Sequence, residues 1–480
     1  MGVEDGWAVA KKKNITRGKQ DTISTLVSSS HPHIHIVIPE TEKANMSDSS
    51  VPPTTQAQES KRTQKAVIPQ QPKRVEKLLA CVLPFHHRNV LLTLYCRIPG
   101  PVELSPNVLQ AMALPPLSHV SPEFVSIMQE SLALTRQLVR APPSTPVFLL
   151  AGSGTLGWEQ VGANLIQQGD RVLVLKTGYF GVGFGECLEA YGAQVEFVDA
   201  EQVGGPVSLD VVRDRVRKGG YRMVTITHVD TSTGVLSDVR AISKVVKEEC
   251  GSETLVVVDA VCSLASEEFD MNGWDVDVVF SASQKGLGAP PGLSVCLAST
   301  RARKVYESIH SNSSRKTGGY YASWKKWLPI MNAYSSGSPA YFGTPPVTLV
   351  RAYHASLKEI LKSGLSTRLQ KTSLASARVK STLESWGYTQ LPTHPEARAN
   401  GMTAVFLPRS MLDKGVKAGD VMKEAGRRGV VVAGGLVDGI KDKYIRIGHM
   451  GWGVQDGSML DQVLAALNPA LTRLGDAGRL

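Results

Sequence analysis

The stretch VVFSASQKGLGAPPGLSV, residues 278–295, decides the fold. It opens with an apolar run that suits a buried strand, passes through small residues to Gln284 and Lys285, and enters a turn rich in glycine and proline. The preceding stretch, TLVVVDAVCSLAS (254–266), is also apolar up to Asp259. Two wholly apolar runs, each followed by polar residues and a turn, are typical of neighbouring strands in a parallel sheet.

Five more apolar runs of the same kind lie around these two, separated by segments with helical spacing. They are PVFLLA (146–151), RVLVLK (171–176), QVEFVD (194–199), RMVTITHV (222–229) and GLSVCLA (292–298). The alternation predicts an α/β fold with a mainly parallel, seven-stranded sheet flanked by helices. In such sheets, ligands bind beyond the carboxyl ends of the strands.

The pattern changes after about residue 345, and this predicts two domains. An N-terminal arm and a large domain are expected over residues 94–345, and a smaller C-terminal α+β domain over residues 346–480. The second domain is predicted from two helical stretches (347–363 and 366–386), three strand-like runs (402–408, 429–435 and 444–450) and a last helix.

Residues 1–93 are rich in Ser, Thr, Gln, Pro and Lys and show no period, which predicts a disordered tail of unknown role. The alternating His31, His33 and His35 favour a solvated stretch over a metal site, because no cysteine or acidic partner stands near them. No metal is therefore predicted.

The charge and the cysteines exclude several classes of function. The net charge is +10, but residues 1–93 hold 13 Lys/Arg against 8 Asp/Glu, and the rest of the excess is spread thinly. Nucleic-acid binding is therefore not expected. No apolar run is long enough to span a bilayer, so no membrane segment is expected. The six cysteines have no metal-binding spacing, which indicates a reducing compartment.

A glycine-rich turn, AGSGTLGWEQ (151–160), follows the first strand and opens a helix. Ser153, Gly154 and Thr155 would place backbone N–H groups and hydroxyls at the helix N-terminus, where the helix dipole favours an anion. An ordinary β–α turn would show the same residues about as often. The segment matches neither the P-loop nor the dinucleotide-binding pattern.

Asp259, Lys285 and Arg446 each have an ordinary explanation when taken alone: a salt-bridged aspartate, a solvated loop lysine and a surface ion pair. Asp259 ends an apolar strand, and a buried carboxylate needs a cationic partner. The pyridinium nitrogen of pyridoxal phosphate (PLP) is such a partner. Together with the anion-binding turn, these residues favour a PLP enzyme in which Lys285 holds the cofactor as a Schiff base.

In this order the pieces resemble the class V (fold-type I) PLP aminotransferases, most closely the alanine–glyoxylate and serine–pyruvate aminotransferases, over roughly residues 97–470. The matching segments are IPGPVELSPNVLQAMA (98–113), HVSPEF (119–124), GSGTLGWE (152–159), VDTSTGV (229–235), VVVDAVCSL (256–264), SASQKGLGAPPGLS (281–294), YFGTPPV (341–347) and IRIGHMG (445–451).

The resemblance implies a role for each matching residue. Lys285 would carry PLP and move a proton between the substrate Cα and the cofactor, Asp259 would pair with the pyridine nitrogen, and Arg446 would bind the substrate α-carboxylate. The remaining implied cofactor contacts are Val261 and Phe180 at the ring, Ser232 at the ring oxygen, Ser153, Gly154, Thr155 and Gln284 at the phosphate, and Tyr341 and Thr344 at the phosphate of a neighbouring subunit's cofactor. Val120 stands where close relatives often have arginine.

The resemblance implies a homodimer that transfers the amino group of a small amino acid, alanine or serine, to glyoxylate. The alternative is a class V cysteine desulfurase or lyase, which needs a reactive cysteine on a mobile loop and usually a histidine stacked on the ring. Phe180 at the stacking position and the absence of cysteine after Cys296 favour transamination. The ending Gly-Arg-Leu resembles a peroxisomal signal and predicts that location, with the cytoplasm and the mitochondrion as alternatives.

Overall fold

The computed structural model describes residues 95–311, 319–455 and 457–476. The predicted tail over residues 1–93 and the Gly-Arg-Leu ending lie outside the described residues. The strands are β1 (Tyr95–Cys96), β2 (Val147–Ala151), β3 (Arg171–Lys176), β4 (Gln194–Asp199), β5 (Tyr221–Thr227), β6 (Leu255–Asp259), β7 (Val278–Ala282), β8 (Leu293–Ala298), β9 (Thr389–Gln390), β10 (Met402–Phe406), β11 (Val430–Val431), β12 (Ala433–Gly434) and β13 (Tyr444–Gly448).

The α-helices of the described residues follow β1 in the chain and alternate with the later strands. They are α1 (Pro106–Ala113), α2 (Pro122–Leu138), α3 (Thr155–Leu165), α4 (Tyr179–Ala190), α5 (Leu209–Val216), α6 (Val239–Cys250), α7 (Thr300–His310), α8 (Trp324–Ser335), α9 (Val347–Lys362), α10 (Leu365–Ser385), α11 (Arg409–Leu412), α12 (Ala418–Arg427), α13 (Trp452–Gln455) and α14 (Gly457–Asp476), with short 3-10 turns at Pro395–Ala397 and Lys441–Lys443. No helix of this described part is both long and apolar enough to cross a membrane.

The main sheet has seven strands in the order β2-β8-β7-β6-β5-β3-β4. Strands β7, β6, β5, β3 and β4 pair in parallel, whereas β8 runs antiparallel to both β2 and β7. The predicted α/β fold with a mainly parallel sheet is confirmed. All five residues of β6 are buried, since helices cover both faces of the sheet, and this explains its continuous apolar sequence.

Strands β2 to β7 all run in the same direction, because β8 is antiparallel to both β2 and β7, and their carboxyl ends lie along the same edge. Asp259 at the end of β6 is in register with Thr227 of β5 and with Phe280 of β7. The loops that follow β2, β3, β5, β6 and β7 therefore emerge side by side, and they carry most of the predicted site residues.

The described residues form three hydrophobic cores, of which the smallest contains Cys262, Met402 and Tyr444. The large core includes the sheet and the buried side chains of α2 and α8, and Phe148 of β2 stacks on Trp324 with their ring centroids 5.2 Å apart. Helix α9 also joins it through Val350, Tyr353 and Leu357. The domain boundary at residues 345/346 stays a prediction.

The C-terminal part has a four-stranded antiparallel sheet, β12-β13-β10-β9, with its own core. Val405 of β10, Ile445 of β13 and Leu467 of α14 are wholly buried there. Strand β1 pairs in parallel with β11 in a separate two-stranded sheet, so the chain after residue 95 begins beside the C-terminal part and then runs to the large sheet.

Candidate active site

Asp259 is buried at the carboxyl edge of the large sheet and is bound by neutral donors. The indole N–H of Trp158 donates to Oδ2 at 2.8 Å, and the amide of Val261 donates to Oδ1 at 2.9 Å. Burial raises the pKa of Asp259 to about 6, and the charge of Asp230 adds to the rise. A buried carboxylate that receives only neutral donors suits a cationic ligand group.

Lys285 follows β7 and is 8% exposed. Its Nζ donates to the main-chain carbonyl of Pro99, in the segment that follows β1. Gly100 packs directly on this lysine, because a Cβ there would lie 2.5 Å from Lys285 Cδ. Burial lowers the pKa of Lys285, whereas the charges of Asp259 and Asp230 oppose that shift. The amine is therefore more readily deprotonated than that of a surface lysine.

The loop that carries Lys285 is held in place by a buried arginine of helix α10. Arg368 of α10 donates from Nη2 to the Gly286 carbonyl at 2.8 Å and from Nε to the Ala265 carbonyl at 3.3 Å. Residue 286 must be glycine, since a Cβ there would come within 2.4 Å of Ser266 Oγ and closer still to the Leu264 carbonyl. One guanidinium thus ties the loop after β7 to the turn after β6.

The turn after β2 has the form that the sequence predicted. Helix α3 begins at Thr155 without a side-chain cap. The amides of Leu156 and Gly157 donate to the Ser153 and Gly154 carbonyls at 3.1 and 2.8 Å, so the amides that an anion could use are those of Gly154 and Thr155. Ser153 and Thr155 are exposed, and their hydroxyls hydrogen bond to each other. Gly154 faces Val261, where a Cβ would lie 2.7 Å from Val261 Cγ2. This close approach brings two of the predicted cofactor contacts together.

Ser232 and Phe180 lie where α4 begins. The Ser232 hydroxyl donates to Asp230 at 2.5 Å and accepts from the Tyr179 amide at 2.9 Å. Asp230 also accepts from the amides of Phe180 and Gly181, each at 3.2 Å. Asp230 therefore caps α4, and the predicted contact of Ser232 with the cofactor ring stays a prediction.

Arg446 reaches the site from strand β13 of the smaller sheet. Its Nε donates to the Gly434 carbonyl at 2.7 Å and its Nη1 to the Thr231 carbonyl at 3.1 Å. Within the described residues it forms no ion pair with a carboxylate. Burial lowers the pKa of Arg446, and the positive charge of Arg446 contributes to the lowered pKa of Lys285. A buried guanidinium held by two carbonyls suits capture of a substrate carboxylate.

Tyr341, Thr344 and Val120 lie on the surface of this chain. Tyr341 is 62% exposed, its hydroxyl lies 3.4 Å from Thr344 Oγ1, and its ring contacts His119. Val120 is 50% exposed. The structure does not bring these residues to the Lys285 of their own chain, and their implied contact with a neighbouring subunit stays a prediction.

Gln284 is partly buried, and its Oε1 has no hydrogen-bond partner among the described residues.

A cavity of about 470 Å³ borders the start of α4 and includes Gly178, Thr233 and Val437 in its lining. No cluster of three or more His, Cys, Asp or Glu suited to a metal occurs in the described part of the chain.

Sequence analysis missed Trp158, Asp230 and Tyr444. The Tyr444 hydroxyl donates to the Ser232 carbonyl at 2.7 Å and accepts from the Leu436 amide at 2.8 Å, so it links the two sheets beside the site. Asp230 had a usable signal, because it follows an apolar strand as Asp259 does. Trp158 had none, since its partner lies 101 residues away.

Comparison with known proteins identifies the family. Residues 109–437, more than half of the chain, match the family described as "Aminotransferase class-V". The chain belongs to this family. Class V aminotransferases are PLP enzymes, and the buried Asp259, the buried Lys285 and the open N-terminus of α3 fit the ring nitrogen, the aldehyde and the phosphate of that cofactor.

Two relatives of this aminotransferase have high coverage. It is 42% identical over 361 residues to alanine–glyoxylate aminotransferase 1 of Saccharomyces cerevisiae, covering 74% of this chain and 91% of the yeast protein. The crystal structure of an alanine–glyoxylate aminotransferase from Nostoc sp. superposes with a TM-score of 0.72 at 27% identity, covering 80% of this chain and 97% of the other.

The desulfurase alternative has only distant support. A cysteine desulfurase from Thermococcus onnurineus is 15% identical to this aminotransferase with a TM-score of 0.61, covering 79% of this chain and 95% of the other, and this likeness shows the fold alone. Cys262, which interacts electrostatically with Lys285, is buried, and burial raises its pKa. It lacks the exposure and the thiolate character that sulfur transfer requires.

Proposed function

We propose that this aminotransferase transfers the amino group of a small amino acid, alanine or serine, to glyoxylate, giving glycine and pyruvate or hydroxypyruvate. The similarity to the yeast alanine–glyoxylate aminotransferase over most of both chains carries the proposal. A dicarboxylic donor would need a second cation, besides Arg446, for its side-chain carboxylate.

The residues divide the work of this reaction. Bound PLP supplies a ring that withdraws electrons from the substrate Cα. Asp259 holds a proton on the ring nitrogen, and Arg446 binds and orients the substrate α-carboxylate. Because its pKa is lowered, Lys285 can accept the proton that leaves Cα. The Pro99–Gly100 segment packs on Lys285 and excludes water from it.

A panel of amino donors tests the proposal. Alanine, serine, aspartate and cysteine would each be assayed with glyoxylate as acceptor, and all but alanine also with pyruvate, since alanine and pyruvate give no net reaction. We expect the highest kcat/KM for alanine or serine with glyoxylate. A higher value for aspartate would contradict the small-donor proposal, and sulfide release from cysteine would restore the desulfurase alternative.

We also propose a homodimer in which Tyr341 and Thr344 reach the phosphate of the partner subunit's cofactor. Their exposure supports this, since two hydroxyls 3.4 Å apart on the surface can serve a ligand outside their own chain. Light scattering of the purified protein tests the dimer, and a monomer at micromolar concentration would contradict it.

A peroxisomal location is the last proposal, and it rests on residues 478–480, Gly-Arg-Leu. We expect a fluorescent fusion that keeps this ending to enter peroxisomes and one without the three residues to stay outside. Identical distributions of the two fusions would leave the cytoplasm or the mitochondrion as the location.

A further inference from the structure

Trp158 is the one side chain of the described chain that donates a hydrogen bond to a carboxylate oxygen of Asp259. It lies on the first turns of α3, three residues after the predicted phosphate contact Thr155. Its indole N–H donates to Asp259 Oδ2 at 2.8 Å. The residue is 9% exposed, so water does not compete freely for that hydrogen bond.

The packing of Trp158 holds its N–H in place. The indole stacks on Phe184 of α4, with ring centroids 5.8 Å apart and ring planes at 18°. Gly183, the residue before Phe184, leaves room for the indole, since a Cβ there would lie 3.3 Å from two atoms of the Trp158 ring. The donor is therefore fixed before any cofactor binds.

Asp259 needs such a donor because its surroundings oppose its charge. Burial is the largest contribution, and the nearby Asp230 carboxylate adds to it. The hydrogen bonds from Val261 and Trp158 act in the opposite direction. They reach different oxygens, so together they also fix the plane of the carboxylate.

We propose that Trp158 is a positioning residue that keeps Asp259 ionised and aligned with the pyridine nitrogen of PLP. One helix thus performs two tasks, because the N-terminus of α3 faces the phosphate and its first full turn orients the partner of the ring nitrogen. The proposal concerns the cofactor and does not depend on which amino acid donates.

The test measures the protonation of the ring nitrogen rather than turnover. Holoenzyme reconstituted with PLP labelled with ¹⁵N in the ring would be titrated by NMR between pH 6 and pH 9, as wild type and as Trp158→Phe. The substitution keeps an aromatic ring and removes the donor. We expect the ring nitrogen to lose its proton about one pH unit earlier in the variant, a tenfold change in proton affinity.

Two further variants separate this effect from general damage. Trp324→Phe removes another buried tryptophan of the large core, whose indole N–H donates to Gln160 Oε1 at 3.3 Å, and should titrate like the wild type. Trp158→His offers a ring N–H again and should recover part of the shift. Trp158→Met, which also lacks an N–H, is the test variant if Trp158→Phe does not fold. A wild-type titration in the variant that lacks the donor would overturn the proposal.

Discussion

The cofactor half and the substrate half of the site are built in different ways. Asp259 and Lys285 follow adjacent strands of one sheet, and side chains and amides of the same chain fix them. Arg446 comes from the other sheet and is held by two main-chain carbonyls. Tyr341 and Thr344, which are predicted to contact the cofactor phosphate of a neighbouring subunit, are exposed.

The contacts of the cofactor half are made within one chain, whereas the remaining contacts require a bound substrate or a second subunit. The cofactor half combines an acid whose pKa is raised to about 6 with a lysine whose pKa is lowered, both by burial. Opposite shifts at neighbouring groups are typical of a catalytic centre. The substrate half has a buried cation suited to a carboxylate, whereas the exposed hydroxyls of Tyr341 and Thr344 are proposed to serve the cofactor phosphate of a partner subunit.

The largest effect is expected at the centre of the cofactor half. Lys285→Ala removes the group that binds PLP covalently and moves the proton, and such groups contribute about 10²–10⁴-fold to rates. We expect loss of the absorption band of the bound cofactor and a fall in kcat of about 10⁴-fold.

Lys380→Met is the matched control for Lys285→Ala. Lys380 is also buried, and burial lowers its pKa to about 8, but it donates to the carbonyls of Ala399 and Met402, away from the sheet edge. The control should keep the absorption band. An unchanged band in Lys285→Ala would reject the cofactor half as assigned.

The second effect separates the two halves. Arg446→Ala removes the carboxylate partner but leaves the sheet edge intact, so KM for the amino acid should rise on the order of 10²-fold while PLP affinity stays within about threefold. Arg351→Ala is the control, because Arg351 is similarly buried and donates to the Pro115 carbonyl. Equal losses in substrate and cofactor affinity would remove the distinction between the halves.

A third prediction asks whether the partner subunit completes the site. A Tyr341→Ala/Thr344→Ala double variant should bind PLP about tenfold more weakly, because it loses hydrogen bonds to a charged phosphate. At a PLP concentration that leaves the double variant mostly without cofactor, mixing it with Lys285→Ala should restore activity, since the hybrid dimer holds one site with an intact Lys285 and the other chain's intact hydroxyls. Random pairing would restore about a quarter of the wild-type sites.

Mixing each variant with itself provides the control for this experiment. Each variant mixed with itself should stay at its own low activity. A mixture with Lys285→Ala that shows only the average of the two activities would place Tyr341 and Thr344 outside the partner's site.

The same contrast explains how far the sequence could be used. The ends of β6 and β7 carry local patterns, an apolar run and then a polar residue, and these predicted the sheet, Asp259 and Lys285 correctly as neighbours. The contact of Trp158 with Asp259 depends on how α3 packs on the sheet, and no local period reports that packing. Exposure likewise depends on the folded surface, so the positions of Tyr341 and Thr344 could not be derived from their motif.

The smallest expected effect tests whether the cofactor half is closed to water. His228 lies beside Asp259, its amide donates to the Asp259 carbonyl at 2.9 Å, and it is 3% exposed. Burial lowers its pKa to about 3 from the ordinary 6.5. At pH values between these two pKa values His228 is protonated in the unfolded chain and neutral in the folded chain. The free energy of unfolding therefore falls as the pH falls below 6.5.

Between pH 7.5 and pH 5.5 this histidine should cost about 1.4 kcal/mol of unfolding free energy, the value of one pH unit below 6.5. His228→Gln should lower the pH dependence of urea unfolding by that amount, whereas His394→Gln, at an exposed position, should leave it unchanged. If His228→Gln unfolds with the wild-type pH dependence, His228 takes up a proton in the folded chain. Water then reaches the main chain behind Asp259, and the cofactor half is less enclosed than its contacts indicate.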